Sequence, residues 1–297
     1  MRIWQVLMIS IVSVSAFIFP YTADAAKNAS KHRHTNASLA HKHVKKLVLG
    51  SSSAIILVQG TDQVLYEKNA GDKKAIASIT KLMTAMVVLD SHQSLDTPIT
   101  ICSDDVDRQR WSKSKLPVGV TLTRHEMLKL ALMASENRAA FALARSYQGG
   151  TNSFVEAMNR AATRLGMKNT VFYGPTGLDA RNVSTARDIA IMVNAAYRYK
   201  LIRQMTTSVS HRVNDKTQEI TFRNTNRLVK RKGWKIGLSK TGYISNSGKC
   251  LVMQATIGNQ PTIIILLDSW GVRSRIVDAV KVKRWIELGN GRKSIRG

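Results

Sequence analysis

Cysteine and acidic residues are the two shortages of this 297-residue chain. Cys102 and Cys250 are the only cysteines, which excludes a fold held by a disulfide framework. Cys250 stands in the apolar run Cys250-Leu-Val-Met253, and both thiols read as small buried residues. A single bridge in an oxidising compartment is the alternative. Asp and Glu number 19 against 45 Lys and Arg, for a net charge of +26. So basic a balance ordinarily raises nucleic acid as a partner. A third absence is of long apolar runs: beyond the first 25 residues none is long and apolar enough to cross a bilayer.

The beginning of the chain holds an export pattern instead. Arg2 is followed by the mostly apolar stretch Ile3 to Phe19 and by the small-x-small site Ala23-Asp24-Ala25. This reads as a signal peptide, 1–25, cut after Ala25. An uncleaved anchor is the alternative, although the run sits at the short limit of the roughly 17–25 residues a span needs. Export argues for the periplasm and against nucleic acid. The positive charge is then left to anionic wall polymer, acidic peptide or lipid head groups, as a weak surface attraction, or simply to solubility.

Residues 26–50 contain no acid, six Lys or Arg, and four of the seven histidines: His32, His34, His41 and His43. Two His-x-His pairs could hold zinc or copper weakly. Low hydrophobicity and high charge favour a basic tether, since such a segment cannot offset its chain entropy. A single catalytic domain, 51–297, follows, with enough length for an ample core.

Within that domain, Ala54 to Val58 and Gln63 to Tyr66 flank a Gly60-Thr-Asp62 turn, a β-hairpin pattern. Ser78 to Asp90 is apolar on nearly every side, which predicts a buried helix. Residues 91–122 read as polar and irregular. Thr123-Arg-His-Glu126 is a capping box opening a helix through Met133. Further helices are predicted from Ala139 to Tyr147, Ser153 to Leu165 and Thr185 to Tyr199. Strands return at Lys235–Gly242, Cys250–Ile257 and Thr262–Leu267, before a last helix from Arg273 to Leu288. The economical fold is α+β: a five-stranded antiparallel sheet flanked by helices, with an inserted all-helical lobe and a cleft between the two.

Three motifs fall around that cleft: Ser78-Ile-Thr-Lys81, Ser135-Glu-Asn137 and Lys240-Thr-Gly242. On a helix, positions three apart share a face, so Ser78 and Lys81 are neighbours. Ser78 at the helix start has a free N–H, half of an oxyanion hole. Lys81 is a cation on a buried segment. Burial drives a lysine towards its neutral form, and a neutral lysine can take the serine proton. Taken alone, the pair is better explained as a cap and a snorkelling lysine. Ser112 and Lys115 repeat the spacing in an irregular segment and are read in that way. Ser135 can pass a proton, and Asn137 can hold Lys81 or a substrate carbonyl. Lys240 supplies charge and Thr241 a hydroxyl for a substrate carboxylate. Gly242 admits a substrate backbone as an added strand, and the Tyr243 N–H is a second oxyanion donor. No residue pattern in this region calls for a cofactor or a metal.

In this order the trio is the signature of penicillin-binding proteins and class A β-lactamases. From about 52 to 288 the chain resembles the low-molecular-mass penicillin-binding proteins. Within them it is similar to the periplasmic D-alanyl-D-alanine endopeptidases of the penicillin-binding protein 7 type. The residues that carry this are the three motifs with their flanks, Gly174-Pro-Thr-Gly-Leu178, Asn182-Val-Ser-Thr-Ala-Arg-Asp188 and Phe222-Arg-Asn-Thr-Asn226. The resemblance implies the serine D,D-peptidase fold. It also implies cleavage of D-Ala–meso-diaminopimelate cross-links in peptidoglycan, and acylation by β-lactams. Ser78 is the implied nucleophile and Lys81 the proton acceptor. Ser135 and Asn137 are the second proton-transfer and positioning pair, and Lys240 binds substrate.

Three other activities share parts of this pattern. A D,D-carboxypeptidase uses the same chemistry; the subfamily-like segments favour the endopeptidase, as does a chain ending soon after its last helix, without the β-rich domain and amphipathic tail of many related carboxypeptidases. A class A β-lactamase needs a Glu-x-x-Leu-Asn loop to free its acyl-enzyme, and Glu156 lies inside a predicted helix. A non-catalytic wall-binding protein would have no need of a lysine in a buried helix.

Overall fold

The computed structural model describes residues 46–214, 219–271 and 273–289. The export pattern and nearly all of the basic tether lie outside the described residues. β1 (Ser51–Val58) and β2 (Val64–Lys68) form the expected hairpin, followed by β3 (Lys74–Ala75) and a 3-10 turn, Ala77–Thr80, that leads into α1 (Lys81–Asp90). Next come β4 (Pro98–Thr100), β5 (Thr121–Thr123), α2 (Arg124–Met133), α3 (Asn137–Arg145) and α4 (Gly150–Arg164). After β6 (Val183–Ser184) stand α5 (Ala186–Ala196), α6 (Lys200–Thr207), β7 (Ser210–Asn214) and β8 (Glu219–Arg223). β9 (Lys235–Ile244), β10 (Gly248–Ile257), β11 (Gln260–Ser269) and α7 (Ser274–Glu287) complete the chain.

The main sheet has the order β2-β1-β11-β10-β9 and is antiparallel throughout. Its central strands are apolar without interruption because both faces are covered. Side chains alternate between the faces: Ile263, Ile265 and Leu267 join the core shared with α1 to α6, while Ile264 and Leu266 join the layer under α7. β9 is an edge strand, with α6 and the 3-10 turn packed on it. That contact brings the Lys240 segment beside Ser78.

Local sequence explains most of the starts and stops. Thr123 Oγ1 accepts the Glu126 N–H at 3.1 Å, and the Glu126 carboxylate accepts the Thr123 N–H at 3.0 Å, the reciprocal capping that opens α2. Thr185 Oγ1 caps α5 by accepting the Asp188 N–H at 3.1 Å. Every residue of α1 from Lys81 to Val88 is buried.

The structure also departs from the sequence reading. The α-helical part of the first motif helix begins at Lys81, and Ser78 lies in the preceding 3-10 turn. The 91–122 stretch is not merely irregular: β4 pairs with β5, and Ile99, Ile101, Leu116 and Val120 are buried. α5 stops at Ala196, and the two-turn α6 and the β7–β8 hairpin occupy a region with no element assigned. Both are short, and their burial is set by neighbours rather than by a long periodic pattern. The inserted lobe is mainly helical and carries short two-stranded ladders as well. Leu47 and Leu49, assigned to the linker, are buried against the layer that contains Trp285, so the packed body begins before residue 51. The two cysteines are unpaired; Cys250 is buried, whereas Cys102 is only partly so. Among the described residues, no helix is long and apolar enough to cross a membrane.

Candidate active site

The site is built around two lysines withdrawn from water. Lys81 is 0% exposed and Lys240 1%. Lys81 Nζ lies 3.0 Å from Ser78 Oγ, 2.7 Å from Asn137 Oδ1 and 2.9 Å from the Thr176 carbonyl oxygen. Asn137 Oδ1, as assigned, and the Thr176 oxygen can only accept. They orient the nitrogen, and once Lys81 is neutral its lone pair is left for the Ser78 hydroxyl. Burial lowers the Lys81 pKa to about 7, with Glu136 pulling the other way. A lysine half-neutral near pH 7 is a competent general base.

Lys240 Nζ donates to Ser135 Oγ at 2.9 Å and to the Thr241 carbonyl oxygen at 2.9 Å. Burial, then the positive charges of Lys81 and Arg275, hold its pKa well below the ordinary value. The second motif is therefore divided: Asn137 serves Lys81 and Ser135 serves Lys240. Ser135 has a positive φ of 63°, which turns the chain between α2 and α3.

The backbone before Ser78 is held in an uncommon shape. Ala77 has φ of 46°, costly for a residue with a Cβ. It is clamped by the 174–182 loop. A Cβ on Gly177, itself at φ of +79°, would stand 1.8 Å from the Ala77 carbonyl oxygen. Thr84 Oγ1 donates to the Pro175 carbonyl oxygen at 2.6 Å, and Asn182 Nδ2 reaches Thr80 Oγ1 at 3.1 Å. Gly242 packs closely against the same segment. A Cβ there would meet the Ile76 carbonyl oxygen at 3.0 Å and the Ser78 nitrogen at 3.1 Å. The glycine makes room for the chain's own Ile76–Ser78 segment.

Thr241 Oγ1 donates to Thr225 Oγ1 at 2.6 Å. Tyr243 is exposed, with Lys249 Nζ 5.6 Å from its ring centroid. Side-chain contacts thus tie Ser78, Lys81 and Asn137 into one group and Ser135 and Lys240 into another, with Gly242 against the Ser78 backbone, while Thr241 and Tyr243 make their contacts to Thr225 and Lys249. Sequence reasoning missed the others. Ser112, set aside as part of a chance spacing, accepts from Asn137 Nδ2 at 2.9 Å, while Lys115 turns away to the Thr221 carbonyl oxygen at 3.2 Å. Asp107 folds this loop by accepting the Ser112 N–H at 2.9 Å. Arg275 donates to the carbonyl oxygens of Gly242 and Cys250 at 2.6 and 3.1 Å. Nothing in their spacing marks Asp107 or Arg275, and Ser112 is marked only by the spacing it shares with Lys115. Thr176 and Gly177 had a signal, in the Gly174-Pro-Thr-Gly-Leu178 turn. Among the described residues, no group of three His, Cys, Asp or Glu is placed to hold a metal.

A serine held on a buried lysine, at the edge of an antiparallel sheet with helices on both faces, defines a serine-type acyl-transfer hydrolase. The profile of the D-alanyl-D-alanine carboxypeptidase family matches residues 40–270, and the chain belongs to that family. Over 243 residues it is 46% identical to a D-alanyl-D-alanine endopeptidase of Pseudomonas aeruginosa, covering 81% of this chain and 78% of that protein. A D-alanyl-D-alanine endopeptidase of Escherichia coli is 42% identical over the same shares. Among solved structures, a Streptomyces DD-transpeptidase superposes with a TM-score of 0.75 at 32% identity, covering 81% of this chain and 98% of that one.

Proposed function

We infer that this protein is an exported serine D-alanyl-D-alanine endopeptidase that hydrolyses D-Ala–meso-diaminopimelate cross-links in peptidoglycan through an acyl-enzyme on Ser78. The observation that carries the chemistry is the 3.0 Å contact between Ser78 Oγ and the buried Lys81 Nζ. Lys81 takes the Ser78 proton as Oγ bonds to the D-Ala carbonyl carbon. The developing oxyanion is met by the N–H groups of Ser78 and Tyr243. The C–N bond then breaks, and the leaving amine takes a proton from the lysine and serine network. Water repeats the sequence against the ester and frees Ser78. A β-lactam enters by the same attack and stays as the acyl group, which makes it an inhibitor. The two endopeptidase relatives, at 46% and 42% identity, support the cross-link as substrate. The family description favours a second reading, removal of a terminal D-Ala by the same residues.

Ser78, Lys81, Ser135 and Asn137 form the catalytic set, with Thr241 and Tyr243 on the substrate side. The export pattern at 1–25 supports a periplasmic location, and the charge of the basic segment after it supports weak attraction to anionic wall or membrane surface. The test is digestion of cross-linked dimeric and uncross-linked pentapeptide muropeptides, with Ser78→Ala as control. Conversion of dimer to monomers, abolished in the variant, is expected. Release of D-Ala from pentapeptide with the dimer untouched would replace the endopeptidase by the carboxypeptidase.

A further inference from the structure

Thr225 lines a cavity of about 1000 Å³ whose lining holds cations and no acid. Arg275 reaches its inner end, beside Gly242. Farther out are Arg212, Arg223, Arg227 and Lys230, all exposed. The β7–β8 hairpin builds this wall by strand alternation. Ser210 and Arg212 face outward and pair with Arg223 and Thr221, while Val213 and Phe222 turn into the core. Arg212 is 3.7 Å from Glu219 at the rim. Among the described residues, Arg223, Arg227 and Lys230 have no carboxylate at ion-pair distance.

We propose that this groove binds the leaving half of the cross-link, as an acidic peptide with carboxylates beyond the scissile bond. The inference rests on the endopeptidase reading and gives it a structural basis. On this proposal the D-Ala carbonyl lies on Ser78 and the leaving residue towards Thr241, whose hydroxyl donates to Thr225 in the lining of the groove. A carboxypeptidase releases a single D-alanine there. This space is at the upper end of the roughly 300–1,000 Å³ of small-ligand sites and suits a peptide. Diaminopimelate carries two carboxyl groups, one next to the cross-linking nitrogen, so the peptide that leaves is anionic where the groove is cationic. A polyphosphate chain is the rival occupant. Continuity with Thr241 favours the peptide.

The test compares wild type with an Arg223→Gln, Arg227→Gln, Lys230→Gln triple variant at low salt, with thermal melting as the folding control. Three readouts are needed: kcat/KM on the cross-linked dimer, kcat/KM on the same dimer with its carboxyl groups amidated, and the rate of acylation by penicillin, which has no leaving peptide. Three exposed charge pairs together should lower kcat/KM on the free-acid dimer by about tenfold or more. The amidated dimer and penicillin should change by no more than about twofold, set by screening alone. Equal losses in all three readouts, or an unchanged rate on the free-acid dimer, would overturn the proposal. So would a variant whose only change, when polyphosphate is added to the free-acid dimer assay, is lost inhibition. A wild type that is acylated by penicillin but leaves the dimer intact would overturn the endopeptidase reading, and this groove assignment with it.

Discussion

Replacing Lys81 by arginine separates charge from basicity at the centre of the site. Both side chains are cations of similar reach, and the carbonyl oxygens of Asn137 and Thr176 can accept from either. The difference is the neutral fraction. With a pKa of about 7, lowered by burial, about half of Lys81 is neutral at pH 7. For arginine that fraction is roughly 10⁻⁵ or less. If the neutral amine takes the Ser78 proton, acylation should fall by about 10⁵-fold, some 7 kcal/mol in the barrier. The wild type makes a second demand. Its active form is the deprotonated one, so acylation should rise with pH through about 7, from about 1% neutral at pH 5 to about 90% at pH 8. Burial of the neutral lysine has a stability counterpart of the same sign. Between about pH 7 and the unfolded value of 10.5, the folded state binds fewer protons than the unfolded one, and stability rises with pH. The assay is the rate of labelling by fluorescent penicillin from pH 5 to 9. Acylation of the arginine variant within tenfold of wild type, or a flat wild-type profile between pH 5 and 8, would refute the general-base role.

Gly177→Ala should lower the melting temperature and abolish penicillin labelling, because its Cβ would lie 1.8 Å from the Ala77 carbonyl oxygen at a φ of +79°; the left-handed strain alone is about 1–2 kcal/mol, and an unchanged melt would show that the loop does not brace the nucleophile. Lys240→Gln should slow acylation by penicillin and by an uncharged ester to a similar degree, since Nζ is buried on Ser135; a loss confined to carboxylate-bearing substrates would assign Lys240 to binding alone. Deleting residues 26–44 should leave turnover of soluble dimer unchanged while reducing sedimentation with sacculi at low salt, because exposed charge is screened within about 8 Å at physiological salt. The deletion stops short of Leu47, which is buried, and a large loss of soluble turnover would count against a passive tether.

Much of this protein is determined within a few residues along the chain. The Thr123–Glu126 capping box, the all-round burial of α1, the period-two strands and the serine-lysine pair are local patterns, and short-range geometry is enough to express them. The motif residues that the structure joins by hydrogen bonds were legible for the same reason. Their division of labour was not. Asn137 meets Lys81 across 56 residues, Thr176 meets it across 95, and Lys240 meets Ser135 across 105. Contacts at such separation are fixed by how α1, α3, the 174–182 loop and β9 pack on one another, not by any spacing. Docking also set Gly242 against the Ser78 backbone and brought Ser112 to Asn137. It set the cations of the β7–β8 hairpin around one groove. The sequence by itself supplied a nucleophile and two lysines. Only the tertiary structure took those lysines out of water, and burial is the physical cause that lowers the Lys81 pKa to about 7.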